Sequence, residues 1–143
     1  MEYLWLIFAL LSALFAALVA IFAKVGLQNI DTNTATAIRA IVMALFLIAV
    51  IIVEGKLSKM PSILSDKSAM FYIVLSGVAG ALSWLFYFIA LKLGKVSNVV
   101  PIDRLSIVFA IILAALILGE KISLKAGAGI ALVAVGAILI ALG

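Results

Sequence analysis

Long apolar runs separated by short polar stretches set the pattern of this chain. Residues 3–23 carry no charge and end at Lys24, residues 34–53 contain Arg39 alone, and residues 69–91 are uncharged and end at Lys92. Residues 97–118 carry Asp103 and Arg104, and residues 124–142 carry Lys125 near their start. Crossing about 30 Å of hydrocarbon takes roughly 20 mostly apolar residues in a helix, and each run has that length. The pattern therefore predicts five transmembrane helices in an all-α polytopic membrane protein, forming one domain over residues 1–143 with no linker. Polarity collects in the connections at 28–33, 54–68, 92–96 and 119–123. Asp31, Ser65, Ser97 and Ser123 stand where N-caps belong, since a short side-chain oxygen there accepts from an unpaired N–H of the first turn. The runs do not alternate in polarity, which excludes transmembrane β-strands. The first run begins with Glu2 and no Lys or Arg, so it reads as a retained helix, not a cleaved signal.

Composition removes whole classes of function. Hydrophobic residues make up 69% of the chain and charged ones 11%, with mean hydropathy +1.47. A soluble domain has nearer about half and about a quarter. The solvent for most of this chain is lipid. Net charge +4 and a pI near 9.6 could suit nucleic acid, but the ten Lys and Arg are scattered in ones and twos, as at membrane boundaries. No nucleic-acid partner is expected. Cys and His are both absent, so disulfides, Cys/His metal sites, haem ligation and Cys or His catalysis are absent too. No metal, cofactor or catalytic residue is expected, and the chain reads as a non-enzyme.

Five spans place the termini on opposite sides of the membrane. On the side of Met1 lie Lys56, Lys59, Lys67, Lys121 and Lys125; on the other lie Lys24, Lys92 and Lys95, with Arg39 and Arg104 deeper on that side. The positive-inside rule favours a cytoplasmic N-terminus by a narrow margin, which is compatible with a population in both orientations.

The deep polar residues carry the functional signal. At a rise of about 1.5 Å per residue, Arg39 lies about 10 Å beyond Thr32, and Asp103 and Arg104 about 10 to 14 Å beyond Lys95. Trp84 and Tyr87 fall about 12 and 8 Å back from Lys92 by the same rise. Ionisable groups at such depth cost several kcal/mol unless paired or hydrated, and mark a pathway or substrate site. The arginines can instead snorkel to the interface, and the aromatic pair can belong to the interfacial belt. Asp103 is too short to snorkel far, and a pair between Asp103 and Arg39 is the preferred contact. Arg104 is then surplus positive charge, which suits an anionic or zwitterionic small-molecule substrate. Pro101 removes a backbone donor early in the fourth helix and can open an irregular stretch beside Asp103. Gly77 and Gly80 give the third helix a small face suited to close helix packing, and Glu120 reads as a solvated loop charge.

The run LSWLFYFIALKLGKVSNVVPIDRLSIVFAIILAALILGEKIS at 82–123 resembles the last helices of an EamA-type unit of the drug/metabolite transporter superfamily, closest to single-unit bacterial and archaeal members. The features that carry the resemblance are LKLG at 91–94, PID at 101–103 followed by Leu105-Ser106, and LGE at 118–120. FAKVGL at 22–27 and Ile38-Arg39 agree, so the likeness covers essentially the whole chain. It departs in having Ile107 where many units carry proline, and Ile89 where relatives often carry arginine. The resemblance implies a secondary transporter of small metabolites in the plasma membrane of a bacterium or archaeon, with five helices forming half of a ten-helix inverted-repeat fold. A lone unit of odd helix count can rebuild that fold as an antiparallel homodimer with alternating access. Arg39, Trp84, Tyr87, Asp103 and Arg104 would line or support its cavity. Two other readings stay open: a non-transporting membrane partner or scaffold in a hetero-complex, and a small multidrug-type exporter. The exporter type places a glutamate within helix one, and no acid follows Glu2 in the first run.

Overall fold

A computed structural model describes residues 4–143; Glu2 and the expected first helical residue, Tyr3, lie outside the described residues. The described chain is all-helical, with no strand among its residues. Its order is α1 (Leu4–Gly26), α2 (Thr32–Val53), a 3₁₀ turn (Leu57–Lys59), α3 (Met60–Ser65), α4 (Lys67–Leu93), α5 (Val96–Asp103), α6 (Ser106–Ile117) and α7 (Leu124–Leu142). Among the described residues, five spans are long and apolar enough to cross a membrane: α1, α2, α4, the pair α5 and α6 together, and α7.

Local chemistry sets the helix ends. Asp31 caps α2, its carboxylate accepting from the Thr34 amide at 2.7 Å and the Thr34 hydroxyl at 2.8 Å. Ser123 caps α7 by accepting from the Ala126 amide at 3.1 Å. At α4 the accepting oxygen belongs to Asp66, 3.0 Å from the Ala69 amide, and not to the expected Ser65, whose hydroxyl donates back to the Pro61 carbonyl. Ser97 does not cap either: α5 starts one residue earlier, with extended Lys95 as its N-cap. The helix α2 ends in a paired 6→1 and 5→2 closure, Lys56 N–H to Ile51 O at 2.9 Å and Gly55 N–H to Ile52 O at 3.0 Å. That closure needs a left-handed residue, and Gly55 supplies it at φ +67°.

The fourth span, expected over 97–118, is broken beside Asp103, where Pro101 was expected to allow an irregular stretch. Pro101 lies in the second turn of α5, beyond the first-turn position that tolerates proline without loss. One turn later the bonding tightens to three-residue spacing, Leu105 N–H to Ile102 O at 2.9 Å and Ile107 N–H to Arg104 O at 3.1 Å. Proline is a usual cause of such a change in a helix.

The chain divides into two compact units, Met1–Val25 with Ala90–Gly143, and Gly26–Ile89. In the first, α5 packs along α7 and α6 also touches it. Leu91, Ala20 and Ala137 are its buried apolar residues. Two side chains close helix C-termini within this unit. Lys24 donates to the carbonyls of Leu91 at 2.6 Å and Gly94 at 2.8 Å, and the Asn98 amide donates to Ala141 O at 3.0 Å. A lysine is well placed there because the C-terminal carbonyls of a helix present partial negative charge. At Gly94 a Cβ would stand 2.9 Å from Val99 Cγ2, so the turn between α4 and α5 admits no side chain without movement.

The second unit holds α2, the 3₁₀ turn, α3 and most of α4. Leu27 and Phe88 are buried in it, with Thr32 and Thr36. The stretch 54–68, expected as a plain connection, is partly helical, and Leu57, Met60, Ile63 and Leu64 recur on it at helical spacing while remaining exposed.

Candidate functional site

Along α2, Thr36, Arg39, Ala40, Met43, Ala44 and Leu47 follow three- and four-residue steps and share one face, and along α4 Gly77, Gly80, Ala81 and Trp84 do the same. These two faces line a cavity of about 560 Å³, with Asn33 at one end of the α2 wall. It lies wholly within the second unit. Its size falls in the range of about 300 to 1,000 Å³ usual for small-molecule sites.

Its walls are mostly aliphatic; the polar side chains of the α2 wall, Asn33, Thr36 and Arg39, fall in the first two turns of that helix, and the α4 wall carries the Trp84 indole. Thr36 donates its hydroxyl to Thr32 O at 2.7 Å, which leaves that oxygen as an acceptor only. Arg39 is half-buried, with its guanidinium carbon 3.5 Å from the centre of the Trp84 ring and 5.3 Å from that of Phe88. Trp84 in turn stands edge-on to Tyr87 at 5.6 Å and to buried Phe88 at 5.3 Å, which fixes the indole plane. A cation over an indole face gains electrostatically from the ring quadrupole, about 0.5 to 2 kcal/mol by degree of desolvation. The aromatic cluster thus holds the guanidinium at its depth on α2.

Of the residues singled out from sequence, the structure brings Arg39, Trp84 and Tyr87 together. Asp103 and Arg104 belong to the other unit, both half-buried: Asp103 ends α5, and Arg104 forms the turn into α6, its amide reaching Pro101 O at 3.1 Å and Val100 O at 3.2 Å. Glu120 is exposed, and its backbone amide, 3.3 Å from Ala114 O, closes the end of α6 after left-handed Gly119. A Cβ built at Gly77 or Gly80 meets nothing within 4 Å, and the two open the cavity wall.

Sequence reading missed Thr36, Asn33 and Phe88. Phe88 stands four residues after Trp84 and Thr36 four after Thr32, so helical spacing alone could have grouped them.

The sequence model of a family described as EamA-like transporter family matches residues 3–142. A protein from a Sinorhizobium species, described as "Uncharacterized transporter in cobO 3'region", is 46% identical over 137 residues, which cover 96% of this chain and 96% of that protein. No solved structure matches the chain.

Proposed function

Because the chain belongs to the EamA-like transporter family and is a multi-pass membrane transporter, we propose that it carries small metabolites as an antiparallel homodimer with alternating access. The observation that supports a solute-binding role most directly is Arg39, its guanidinium carbon over the Trp84 ring at 3.5 Å in the wall of a cavity of about 560 Å³. A cation retained at membrane depth inside an open cavity is costly to keep for packing alone, and serves a transporter by meeting substrate. In this reading Arg39, Trp84 and Tyr87 form the α2–α4 side of the site, and Asp103 and Arg104 complete or support it from the break between α5 and α6.

Two properties favour the antiparallel dimer. Five spans place the chain ends on opposite sides, so two copies in opposite orientation recreate an inverted repeat. Five lysines on one side against three on the other give only weak orientation bias. The plasma membrane of a prokaryote is the proposed location, in line with the bacterial source of the relative.

Topology mapping with reporters on both termini tests this reading, together with disulfide cross-linking of single-cysteine variants and flux into vesicles. Both orientations in the same membrane, antiparallel cross-links and substrate flux are expected. A single fixed orientation with a parallel dimer overturns the dimer model, and a stable hetero-complex without flux overturns transport by this chain alone.

A further inference from the structure

The α2–α4 cavity is chemically one-sided. Asn33, Thr36 and Arg39 bring all the hydrogen-bonding side chains of the α2 wall to one end. From Arg39 to Leu47 the wall offers only aliphatic groups for about 12 Å of helix, and the facing wall is opened by Gly77 and Gly80.

That distribution separates solute classes. A cation would seek an aromatic face or a carboxylate, but Arg39 already covers the Trp84 face at 3.5 Å, and among the described residues no Asp or Glu lines the cavity. A zwitterion would satisfy its anionic end and leave its ammonium in an aliphatic wall. A sugar would bury hydroxyls along a surface with no partner for them, which is unfavourable. A neutral apolar solute would fill the wall but leave the guanidinium without a counter-charge. The contact with Trp84 is made by the guanidinium carbon over the ring, and among the described residues the guanidinium N–H groups form no hydrogen bond. A planar fork of donors matches a carboxylate, phosphate or sulfonate.

We propose that the α2–α4 cavity binds amphipathic organic anions, the acidic group on Arg39 and an apolar chain or ring system along Ala40, Ala44 and Leu47 toward Gly77 and Gly80. This rests on the reading of that cavity as the solute site and narrows its substrate class. Such an anion can come from water, as a free hydrophobic acid, or from the bilayer, as an anionic lipid.

The test uses the intact protein in nanodiscs with Trp5→Phe, which leaves Trp84 as the one indole, since the chain has two tryptophans. The probes are 2-bromodecanoate, whose bromine next to the carboxylate quenches an indole in contact with it, and its methyl ester, which partitions into lipid but carries no charge. In phosphatidylcholine discs the acid gives a saturable quench of Trp84 and the ester only a linear one. Arg39→Gln weakens the acid's apparent affinity by about tenfold or more, and Arg39→Lys retains the preference for acid over ester. Gly80→Leu, which fills open cavity space, abolishes saturation with an unchanged unfolding midpoint. Equal quenching by acid and ester, or undiminished saturation in Arg39→Gln, overturns the proposal. Phosphatidylglycerol discs identify the source: undiminished affinity supports a free acid, and competition by the disc lipid supports a bilayer anion. Saturable anion binding without vesicle flux would defeat the transport reading alone, whereas flux of a cation or sugar without anion binding would defeat the substrate class alone.

Discussion

The guanidinium carbon of Arg39 lies 3.5 Å from the centre of the Trp84 ring, joining α2 to α4 across a cavity whose walls are mostly aliphatic groups and glycine. Because Trp84 is itself braced edge-on by Tyr87 and Phe88, the contact fixes both the charge and the ring that carries it. A double-mutant cycle with Arg39→Met and Trp84→Leu, read by denaturant unfolding in mixed micelles, should return a coupling of about 0.5 to 2 kcal/mol. Additive losses would mean that the stack contributes nothing to the folded state.

Lys24 donates to two carbonyls at the C-terminal end of α4, at 2.6 and 2.8 Å. Replacing it with Met keeps the stem but removes both bonds, and hydrogen bonds to charged groups contribute about 1.5 to 3 kcal/mol. Lys24→Met should therefore lower unfolding stability by roughly that amount. The same substitution at Lys121, exposed in the connection before α7, should have little effect in the same assay.

The glycines differ in what they tolerate. Gly55 and Gly119 sit at φ +67° and +69°, where a Cβ costs about 1 to 2 kcal/mol. Alanine at either should destabilise by that amount. Gly94→Ala should also destabilise, because its Cβ would meet Val99 Cγ2 at 2.9 Å. Gly77→Ala meets open space and should leave the thermal midpoint unchanged or slightly raised.

Orientation gives a further check on the dimer proposal. Changing Lys56, Lys59 and Lys67 together to Gln leaves two lysines on that side against three on the other. Terminal reporters should then show the population moving toward an external N-terminus. An unchanged distribution would show that charge balance does not set the orientation of this chain.

Asp103 and Arg104 flank the break in the fourth span, and the proposal gives them a part in solute handling. Asp103→Asn and Arg104→Ala should each reduce vesicle flux by about tenfold or more, the scale of one lost charge-assisted contact, while leaving the unfolding midpoint in place. Full flux from both variants would remove them from the site.

Much of the fold was legible in the sequence because hydrocarbon imposes a simple rule. Backbone groups in lipid must pair within their own segment, so an uncharged run of about 20 residues can only be a spanning helix. Local caps were half legible. Asp31 and Ser123 act as their positions suggest, whereas Asp66 replaces Ser65 and Lys95 replaces Ser97, since one residue of phase decides which oxygen faces a free amide. The helical stretch within 54–68 escaped notice because its apolar positions are few and interleaved with lysine and serine.

The sequence by itself determined the solvent, the five spans, the family and the positions of Arg39, Trp84 and Tyr87 along their helices, all of which follow from hydropathy and motif order along one chain. The tertiary structure decided which face of each helix meets which neighbour. It placed Gly77 and Gly80 in an open cavity wall, brought Arg39 onto Trp84, and tied Lys24 to the end of α4. In water, burial of apolar surface would have marked the inward faces in the sequence itself. In lipid both faces of a helix are apolar, and packing is selected by shape and a few polar contacts that only the folded arrangement reveals.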